Sequence, residues 1–272
     1  MGRQDAAPSE ERMRIRLANF EWDTKSRVIE RDGHLDGAVL VTARPSPEGV
    51  IADLYAAGRG DAYAEMAGWG VHFARATGVA IIHTMAAKGR GTGLHELGLR
   101  PVRPWWRMDR MLVDGTPAVE LVSGYELMDG DEAPPGTWAD TFNRAFADHW
   151  RSAPRTEVEI IAGKSPELCL MALTSRDREP AALTLGEVED LPRDPRPQPI
   201  GLISSVGTVP AHRRRGLARW LVAEELRRLV DAGARHVSLY VDALNAMRAY
   251  DMYRKLGFEV VYEAEVWEAT VP

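Results

Sequence analysis

Apolar residues recur along the chain in two rhythms, which predict short strands and amphipathic helices. Compact apolar runs bounded by Gly, Pro and Asp indicate strands, and longer runs with apolar residues every three to four positions indicate helices. The first half is predicted to contain strands at 27–33, 35–44, 49–58 and 79–87, a helix at 61–78, and a short helical segment leading into a further strand that ends at 112. The second half is predicted to contain helices at 137–150, 155–163, 217–232 and 246–256 and strands at 166–177, 179–190, 200–209, 236–244 and 258–269.

The two halves repeat this order in outline. In each, hairpin-forming strands precede a strand-helix-strand-helix-strand series, which predicts an α/β fold with a mixed, mostly antiparallel sheet flanked by helices. The segment 130–138, rich in Pro, Gly and acidic residues, is the best candidate for a linker. We expect two modules of related fold, residues 1–115 and residues 116–272.

Composition limits the classes of function. The net charge of −6 argues against nucleic acid as a partner. The one cysteine, Cys169, excludes an internal disulfide framework and a cysteine-rich zinc site, and its strand-like apolar run predicts a buried packing residue. The start of the chain has no apolar segment typical of a signal peptide, and no apolar run approaches the length of a membrane span. We therefore expect a cytoplasmic protein without a membrane partner.

The stretch TVPAHRRRGLARWLV, residues 208–222, carries the chemistry. A strand leads through a turn into a helix, and the main-chain N–H groups at the start of a helix favour anions. Gly216 and the small Ala218 let a phosphate approach the main chain closely, and arginines flank them with donors suited to phosphate. The stretch lacks the Lys-Ser/Thr pair of a P-loop, so ATP with magnesium is not implied. No group of His, Cys and acidic residues has the spacing of metal ligands, and we expect no metal.

These residues resemble the GNAT superfamily, the acyl-CoA-dependent N-acyltransferases. Arg213, Gly216 and Ala218 match the R/Q-x-x-G-x-G/A loop of that superfamily. The second signature follows in NAMRAYDMYRKLGF, with Asn245, Ala249, Tyr253 and Leu256-Gly257-Phe258. Together the two halves resemble tandem GNAT proteins of the mycothiol synthase-like group.

The resemblance implies a role for each matched position. The main chain of β-strand residues Val206, Gly207 and Thr208 would pair with the pantetheine arm of acetyl-CoA and polarise the thioester. The pyrophosphate would be held by the following loop, which consists of Arg213, Arg214, Arg215, Gly216, Leu217, Ala218 and Arg219. Asn245 would contribute to cofactor binding, although its interval to Tyr253 is one residue longer than in the family. Tyr253 would protonate the departing thiolate as general acid, with Tyr250 as a nearby competitor.

The general base is left open by the sequence. Many relatives place a Glu on the strand before the loop, whereas residues 200–209 contain no carboxylate. The candidates are Asp242 at the end of the next strand, the acidic cluster of Glu187, Glu189 and Asp190, and a water relay through Ser204 or Ser205. Each of these residues has an ordinary structural or solvated interpretation as well.

The first half resembles a degenerate module of the same superfamily. Gly58-Arg59-Gly60 stands where the full loop would be, and Leu94 occupies the position that matches Tyr253. Without a cradle and an acid, catalysis by this half is not expected. We expect it to complete the acceptor groove or to stabilise the second module.

The leading hypothesis is an acetyl-CoA-dependent N-acetyltransferase that acetylates a primary amine of a small molecule by direct attack in a ternary complex. Two alternatives stay open, a non-catalytic acyl-CoA-binding sensor and an acetyltransferase for peptide or protein amines. The acceptor amine and the oligomeric state do not follow from the sequence.

Overall fold

The computed structural model describes residues 14, 17, 20–112, 115–189, 194 and 196–271, and of Thr92 only the main chain. By its internal contacts the chain divides into two compact units. Of the described residues, the N-terminal unit contains 17, 20–106, 242–244 and 263–271, and the C-terminal unit contains 14, 107–112, 115–189, 194, 196–241 and 245–262. None of the described helices is long and apolar enough to cross a membrane.

The N-terminal unit is a mixed sheet with one long helix. Its strands are β1 (Ser26–Arg31), β2 (His34–Arg44), β3 (Ile51–Gly58), β4 (Ile81–Ala87) and the end of β11 (Glu259–Thr270), in the order β1-β2-β3-β4-β11. Its helices are α1 (Trp22–Lys25), α2 (Ala62–Ala76) and α3 (Thr92–Glu96). Strands β3 and β4 are parallel, and the other neighbouring pairs are antiparallel.

The C-terminal unit repeats this plan with more strands. Its order is β5-β10-β9-β8-β7-β6, with β9 and β10 parallel and β6 to β9 antiparallel in succession. The strands are β5 (Arg100–Met111, from Arg107 onward), β6 (Tyr125–Asp129), β7 (Cys169–Thr174), β8 (Pro180–Glu189), β9 (Ile200–Thr208) and β10 (His236–Asp242). The helices are α4 (Thr137–Phe146), α5 (Glu157–Ile161), α6 (Leu217–Asp231) and α7 (Ala249–Lys255).

The predicted fold class is confirmed, because each unit is a mixed, mostly antiparallel sheet flanked by helices. Strands β5 and β11 each pass from one unit to the other. The strand after α3 therefore ends in the C-terminal unit, and the last strand of the chain ends in the N-terminal unit. The division into modules 1–115 and 116–272 stays a prediction, and the compact units interleave around that boundary.

Strand β7 explains how the C-terminal sheet is held between two helical layers. Cys169, Met171 and Leu173 point into an apolar cluster that contains Trp138 and Phe142 of α4. The alternate residues Leu170 and Ala172 point into a second cluster, which contains Leu217, Trp220 and Leu221 of α6. Both faces are buried, so the strand reads as a continuous apolar run. Burial raises the pKa of the Cys169 thiol to about 12, as expected for a packing residue.

Strand β6 is a strand that the sequence pattern missed. Of its five residues only Met128 is buried, so the run YELMD lacks the alternation that predicts a strand. Among the described strands it pairs with β7 alone. Strand formation here depends on the neighbouring strand rather than on a local pattern.

Candidate functional site

Strand β9 pairs with β10 over only the first half of its length. The parallel pairing with β10 runs from Ile200 opposite His236 to Ile203 opposite Leu239. Beyond these residues β9 continues to Thr208 and β10 to Asp242 without pairing to each other. The two strands therefore diverge at their carboxyl ends, which is where ligands bind in open α/β sheets.

Val206 and Thr208 turn their main-chain groups toward this opening. The amide of Val209 donates to the carbonyl of Ala181 at 2.9 Å, and Thr208 lies opposite Ala182. In an antiparallel ladder this makes the Thr208 pair a non-hydrogen-bonded one, so alternate residues of β9 point their N–H and C=O groups away from β8. By the same alternation, the N–H and C=O groups of Val206 point away from β8, toward the side where β10 no longer pairs with β9. A ligand lying there can complete the ladder with main-chain hydrogen bonds.

Gly207, unlike Val206 and Thr208, allows helix α4 to pack closely on β9. Its main chain pairs with Leu183 of β8. A Cβ at this position would lie 2.8 Å from the ring of Phe146 and 3.0 Å from the Cβ of Ala145. The glycine is required because α4 packs directly on β9. We find in it a packing residue that allows this close approach.

The turn after β9 forms a cradle of main-chain amides. It contains a short 3-10 helix, Pro210–His212, and two residues with positive φ, Arg214 at 67° and Gly216 at 88°. Gly216 is the N-cap of α6, and no side chain among the described residues caps that end of the helix. The first N–H groups of a helix have no partner within it. The amides of Leu217, Ala218 and Arg219 are therefore available to an anion, and the helix dipole favours one.

Arg213 is committed to protein partners. Its two terminal nitrogens lie 2.5 and 2.7 Å from the carboxylate of Asp148. The guanidinium also donates to the carbonyls of Ala145 and Thr208, each at 3.1 Å. Four donor contacts are thus made within the protein, and the hydrogen bond from Arg213 holds the pKa of Asp148 below its ordinary value. The side chain of Arg213 therefore connects the turn to the end of α4. The sequence predicted a phosphate ligand at this position and did not predict these protein contacts.

The other residues of the loop divide by exposure. Arg214, Arg215 and Arg219 are exposed, and a terminal nitrogen of Arg219 lies 3.5 Å from Oε1 of Glu120. Leu217 is buried in the cluster beneath α6, so only its main chain faces the cradle. The exposed arginines give the cradle positive charge in an acidic protein.

Tyr253 lies on α7, the helix that follows the diverging end of β10. Its side chain is 6% exposed and packs edge-on against Phe258 at 5.9 Å between ring centroids. Burial raises the pKa of the phenol above its ordinary value, so Tyr253 is protonated at neutral pH. The ring of Tyr250 instead contacts the guanidinium groups of Arg248 and Arg254, at 5.5 and 5.6 Å from its centroid.

Asn245 shapes the turn before α7. Its Oδ1 accepts a hydrogen bond from the amide of Met247 at 2.8 Å, and its carbonyl accepts one from the amide of Arg248 at 2.8 Å. This is an Asx turn, in which the side chain replaces a main-chain acceptor. The observed contacts of Asn245 are thus those of a turn former, and its predicted part in cofactor binding stays a prediction.

Asp242, one candidate base, is held in an ion pair. Nε of Arg103 lies 2.8 Å from each oxygen of its carboxylate, and Oδ1 also accepts the amide of Leu244 at 2.9 Å. The Asp242 side chain is 2% exposed. These contacts occupy the carboxylate, and they give it a structural role at the end of β10.

The acidic cluster resolves into one buried carboxylate. Glu187 is 4% exposed and lies 3.0 Å from the ammonium of Lys164. The same ammonium donates to Oγ of Ser204 at 2.9 Å. Asp190 lies outside the described residues. Lys164 and Asp148 are the residues that sequence reasoning missed, since each meets its partner only after distant segments pack together.

The corresponding turn of the N-terminal unit is short. Only three residues, 59–61, join β3 to α2. The N-cap of α2 is Asp61, whose carboxylate is an ion-pair partner of Arg31 at 2.9 Å. Its negative charge at the start of the helix opposes anion binding. Leu94, which matches Tyr253, is 1% exposed in the apolar core.

Comparison with known proteins adds a family model and named relatives. Residues 193–268 match the family described as FR47-like protein. The chain is 34% identical over 170 residues to the mycothiol acetyltransferase of Catenulispora acidiphila, covering 59% of this chain and 52% of that protein. It is 31% identical over 184 residues to the mycothiol acetyltransferase of Thermomonospora curvata, covering 61% of this chain and 57% of that protein. The chain thus spans about half the length of the relatives it matches.

Solved structures share the fold along almost the whole chain. A GCN5-related N-acetyltransferase from Sphaerobacter thermophilus superposes with a TM-score of 0.76 at 21% identity, covering 97% of this chain and 86% of that one. A tandem GNAT protein from the clavulanic acid biosynthesis pathway superposes with a TM-score of 0.64 at 16% identity, covering 91% of this chain and 82% of that one.

Proposed function

We propose that this chain is an acetyl-CoA-dependent N-acetyltransferase. Its predicted resemblance to the GNAT superfamily and its tandem GNAT fold are confirmed. It transfers the acetyl group to a primary amine of a small molecule by direct attack within a ternary complex. It acts in the cytoplasm and needs neither a metal ion nor nucleic acid.

The observation that carries this proposal is the divergence of β9 from β10 beside an uncapped helix. The opening exposes the main chain of Val206 and the amide of Thr208, whose carbonyl accepts a hydrogen bond from Arg213. The strand then leads into the cradle at the start of α6. An extended arm that ends in a pyrophosphate fits this order of features. The pantetheine arm would complete the β9 ladder, and the pyrophosphate oxygens would accept hydrogen bonds from the amides of residues 214–219.

Tyr253 is the proposed general acid. Collapse of the tetrahedral intermediate breaks the C–S bond and leaves a thiolate, which needs a proton. The buried phenol holds its proton at neutral pH. Strands β9 and β10 are parallel, so α7 starts from the same edge of the sheet as the cradle does. We assign the acid to Tyr253 rather than to Tyr250 on the basis of burial.

The N-terminal unit is proposed to be non-catalytic. Its turn between β3 and α2 offers three residues and an aspartate where the C-terminal unit offers a cradle. Leu94 supplies no proton. The single active site would thus be in the C-terminal unit.

Acetyl-CoA binding measured by calorimetry, followed by thiol release against a panel of amines, tests the proposal. The panel contains aminoglycosides, polyamines, peptide N-termini and, because relatives are named mycothiol acetyltransferases, amines related to mycothiol. We expect acetyl-CoA to bind and at least one small amine to release thiol. A chain that does not bind acetyl-CoA contradicts the proposal.

Two variants test the acid. Tyr253→Phe removes only the hydroxyl, and we expect it to lower kcat by about 10²-fold or more with little change in acetyl-CoA affinity. Tyr250→Phe is the matched control on the same helix and should leave kcat within about threefold. Equal effects of the two substitutions would remove the assignment of Tyr253.

The sensor alternative has one observation in its favour, since two candidate bases, the buried carboxylates of Glu187 and Asp242, are ion-paired. Under that reading acetyl-CoA binds without turnover on any amine. Turnover on peptide N-termini alone would favour a peptide acetyltransferase.

A further inference from the structure

Three side chains form a continuous hydrogen-bonded chain from the surface of β9 into the protein. The ammonium of Lys164 donates to Oγ of Ser204 at 2.9 Å and to Oε2 of Glu187 at 3.0 Å. The side chains of Lys164 and Glu187 are 10% and 5% exposed, whereas Ser204 is exposed. One end of the chain is thus an accessible hydroxyl, and the other is a buried carboxylate.

A β-bulge places the hydroxyl at the point where the strands diverge. On β8, Leu185 lies opposite Ser205 and Gly186 lies opposite Ile203, so Ser204 is the extra residue of β9. Ile203 is also the last residue of β9 that pairs with β10. Ser204 therefore stands at the inner end of the opening, two residues before Val206.

The hydroxyl of Ser204 has one acceptor site to spare in these contacts. It donates to the carbonyl of Leu185 at 3.1 Å and accepts from Lys164. A hydroxyl oxygen has two lone pairs, so the second can accept a proton from a ligand in the opening.

We propose that Ser204, Lys164 and Glu187 form the proton-accepting relay of the acetyl transfer, with Glu187 as the final acceptor. This inference rests on the proposed function. It connects two groups that the sequence offered only as separate candidates, Ser204 and Glu187, through a lysine that the sequence did not single out. Asp242, another of the candidates, is occupied by Arg103.

The proton transfers balance as follows. The acceptor enters as an ammonium and gives one proton to Oγ of Ser204. Ser204 turns its own proton from Leu185 to Nζ of Lys164, while Lys164 gives a proton to Oε2 of Glu187. Ser204 and Lys164 end as they began, and Glu187 becomes a carboxylic acid.

The neutral amine then attacks the thioester carbon, and a C–N bond forms. Collapse breaks the C–S bond, and Tyr253 gives its proton to the thiolate. The acetylated nitrogen then gives its second proton to the phenolate of Tyr253, which restores the phenol. Glu187 later releases its proton to water, so one proton leaves per turnover.

Substitutions at Ser204 and Glu187, each paired with one at a neighbouring candidate, test the relay. We expect Ser204→Ala to lower kcat about tenfold or more and Glu187→Gln about 10²-fold, with acetyl-CoA affinity unchanged. Ser205→Ala and Glu189→Gln test the two neighbouring candidates that the relay leaves out, and the relay predicts that each lowers kcat by less than about threefold. Circular dichroism and acetyl-CoA calorimetry establish that each variant is folded.

Lys164→Arg separates a relay from a structural ion pair. Arginine keeps the charge beside Glu187, but its guanidinium does not give up a proton in proteins. A relay through Lys164 predicts a loss of kcat of about tenfold or more in a folded Lys164→Arg variant. A purely structural pair predicts that arginine restores full kcat.

The acidity of the acceptor provides a further readout. A β-fluorinated analogue of the best panel amine has a lower amine pKa and binds as the free amine. The first proton step is then absent, and the loss in Glu187→Gln should largely disappear. Unchanged kcat in Ser204→Ala, or a loss in Glu187→Gln that is equal for both amines, overturns the relay while leaving the acetyltransferase assignment intact. A wild-type chain without turnover on any amine overturns both.

Discussion

Glu225 on α6 is a buried carboxyl group whose effect on stability can be worked out from its surroundings. Its side chain is fully buried, and among the described residues neither carboxylate oxygen has a hydrogen-bond partner. A Cβ at Gly186 would lie 1.8 Å from Oε1, so the carboxyl group rests on the main chain of β8. Burial raises the pKa of Glu225 well above the ordinary value of 4.5, against the opposing charges of Arg228 and Lys164.

This raised pKa predicts that the carboxyl group costs stability as the pH increases. Below pH 4.5 it is protonated in the folded and unfolded chains alike. Above that pH the unfolded chain loses the proton and the folded chain keeps it, so the folded state binds one proton more. The free energy of unfolding then falls by about 1.4 kcal/mol per pH unit until the pH reaches the folded pKa. In a chain of this size, 1 kcal/mol corresponds to roughly 2–4 °C in Tm.

The perturbation is Glu225→Gln, which removes the titrating group and preserves its shape. Thermal and urea unfolding are measured for the variant and the wild type at intervals from pH 5 to pH 8. Burying the amide has a fixed cost, which cancels when the difference between the two proteins is compared across pH. We expect that difference to move in favour of the variant by up to about 1.4 kcal/mol per pH unit.

Glu224→Gln is the matched control on the adjacent residue. Arg227 and Arg228 donate to the Glu224 carboxylate at 2.6 to 3.0 Å. Burial opposes ionisation, but these hydrogen bonds hold the pKa of Glu224 below its ordinary value. Its contribution is present above the unfolded pKa and is lost as the pH falls through the folded pKa. Between pH 5 and pH 8 the stability difference between Glu224→Gln and the wild type should therefore stay constant, whereas the difference for Glu225→Gln should change with pH. A stability difference for Glu225→Gln that is constant from pH 5 to pH 8 would refute the reasoning.

Three further substitutions test the site. Gly216→Ala places a side chain where φ is 88°, and it should cost about 1 kcal/mol and raise the KM for acetyl-CoA, as measured by initial rates. Gly207→Ala drives a methyl group to within 2.8 Å of Phe146, and urea unfolding should show a loss of about 1–3 kcal/mol. Asp148→Asn weakens the ion pair with Arg213, and it should lower Tm by a few degrees, about 1 kcal/mol, with little change in acetyl-CoA affinity by calorimetry. Tighter binding by this variant would show that Asp148 competes with the pyrophosphate for Arg213.

The sequence predicted best where a feature is built from adjacent residues. The turn from β9 into α6 is contiguous, and its binding groups are main-chain amides, so the positions of Gly216 and Ala218 suffice to predict it. The burial of Tyr253 also follows from its place in a local pattern. The burial of Glu225 also follows from the sequence, since this residue lies four positions from both Leu221 and Leu229 on the apolar side of α6.

Side-chain partners were beyond the sequence for a physical reason. Arg213 reads as a phosphate ligand until α4 brings Asp148, 65 residues earlier, beside it. Lys164 has no distinguishing pattern, yet it joins Glu187 to Ser204 from two different strands. An ion pair requires two groups to be within a few ångströms, and only packing decides which distant residues reach that distance.

The amino-acid sequence thus predicted most of the elements, the order in which they recur and the turn from β9 into α6, because periodicity, glycine positions and main-chain donors act over a few residues. The tertiary structure decided where β9 leaves β10, which strand ends each unit, and which charges are paired. These features depend on segments that are far apart in the chain and meet only when apolar faces are buried together.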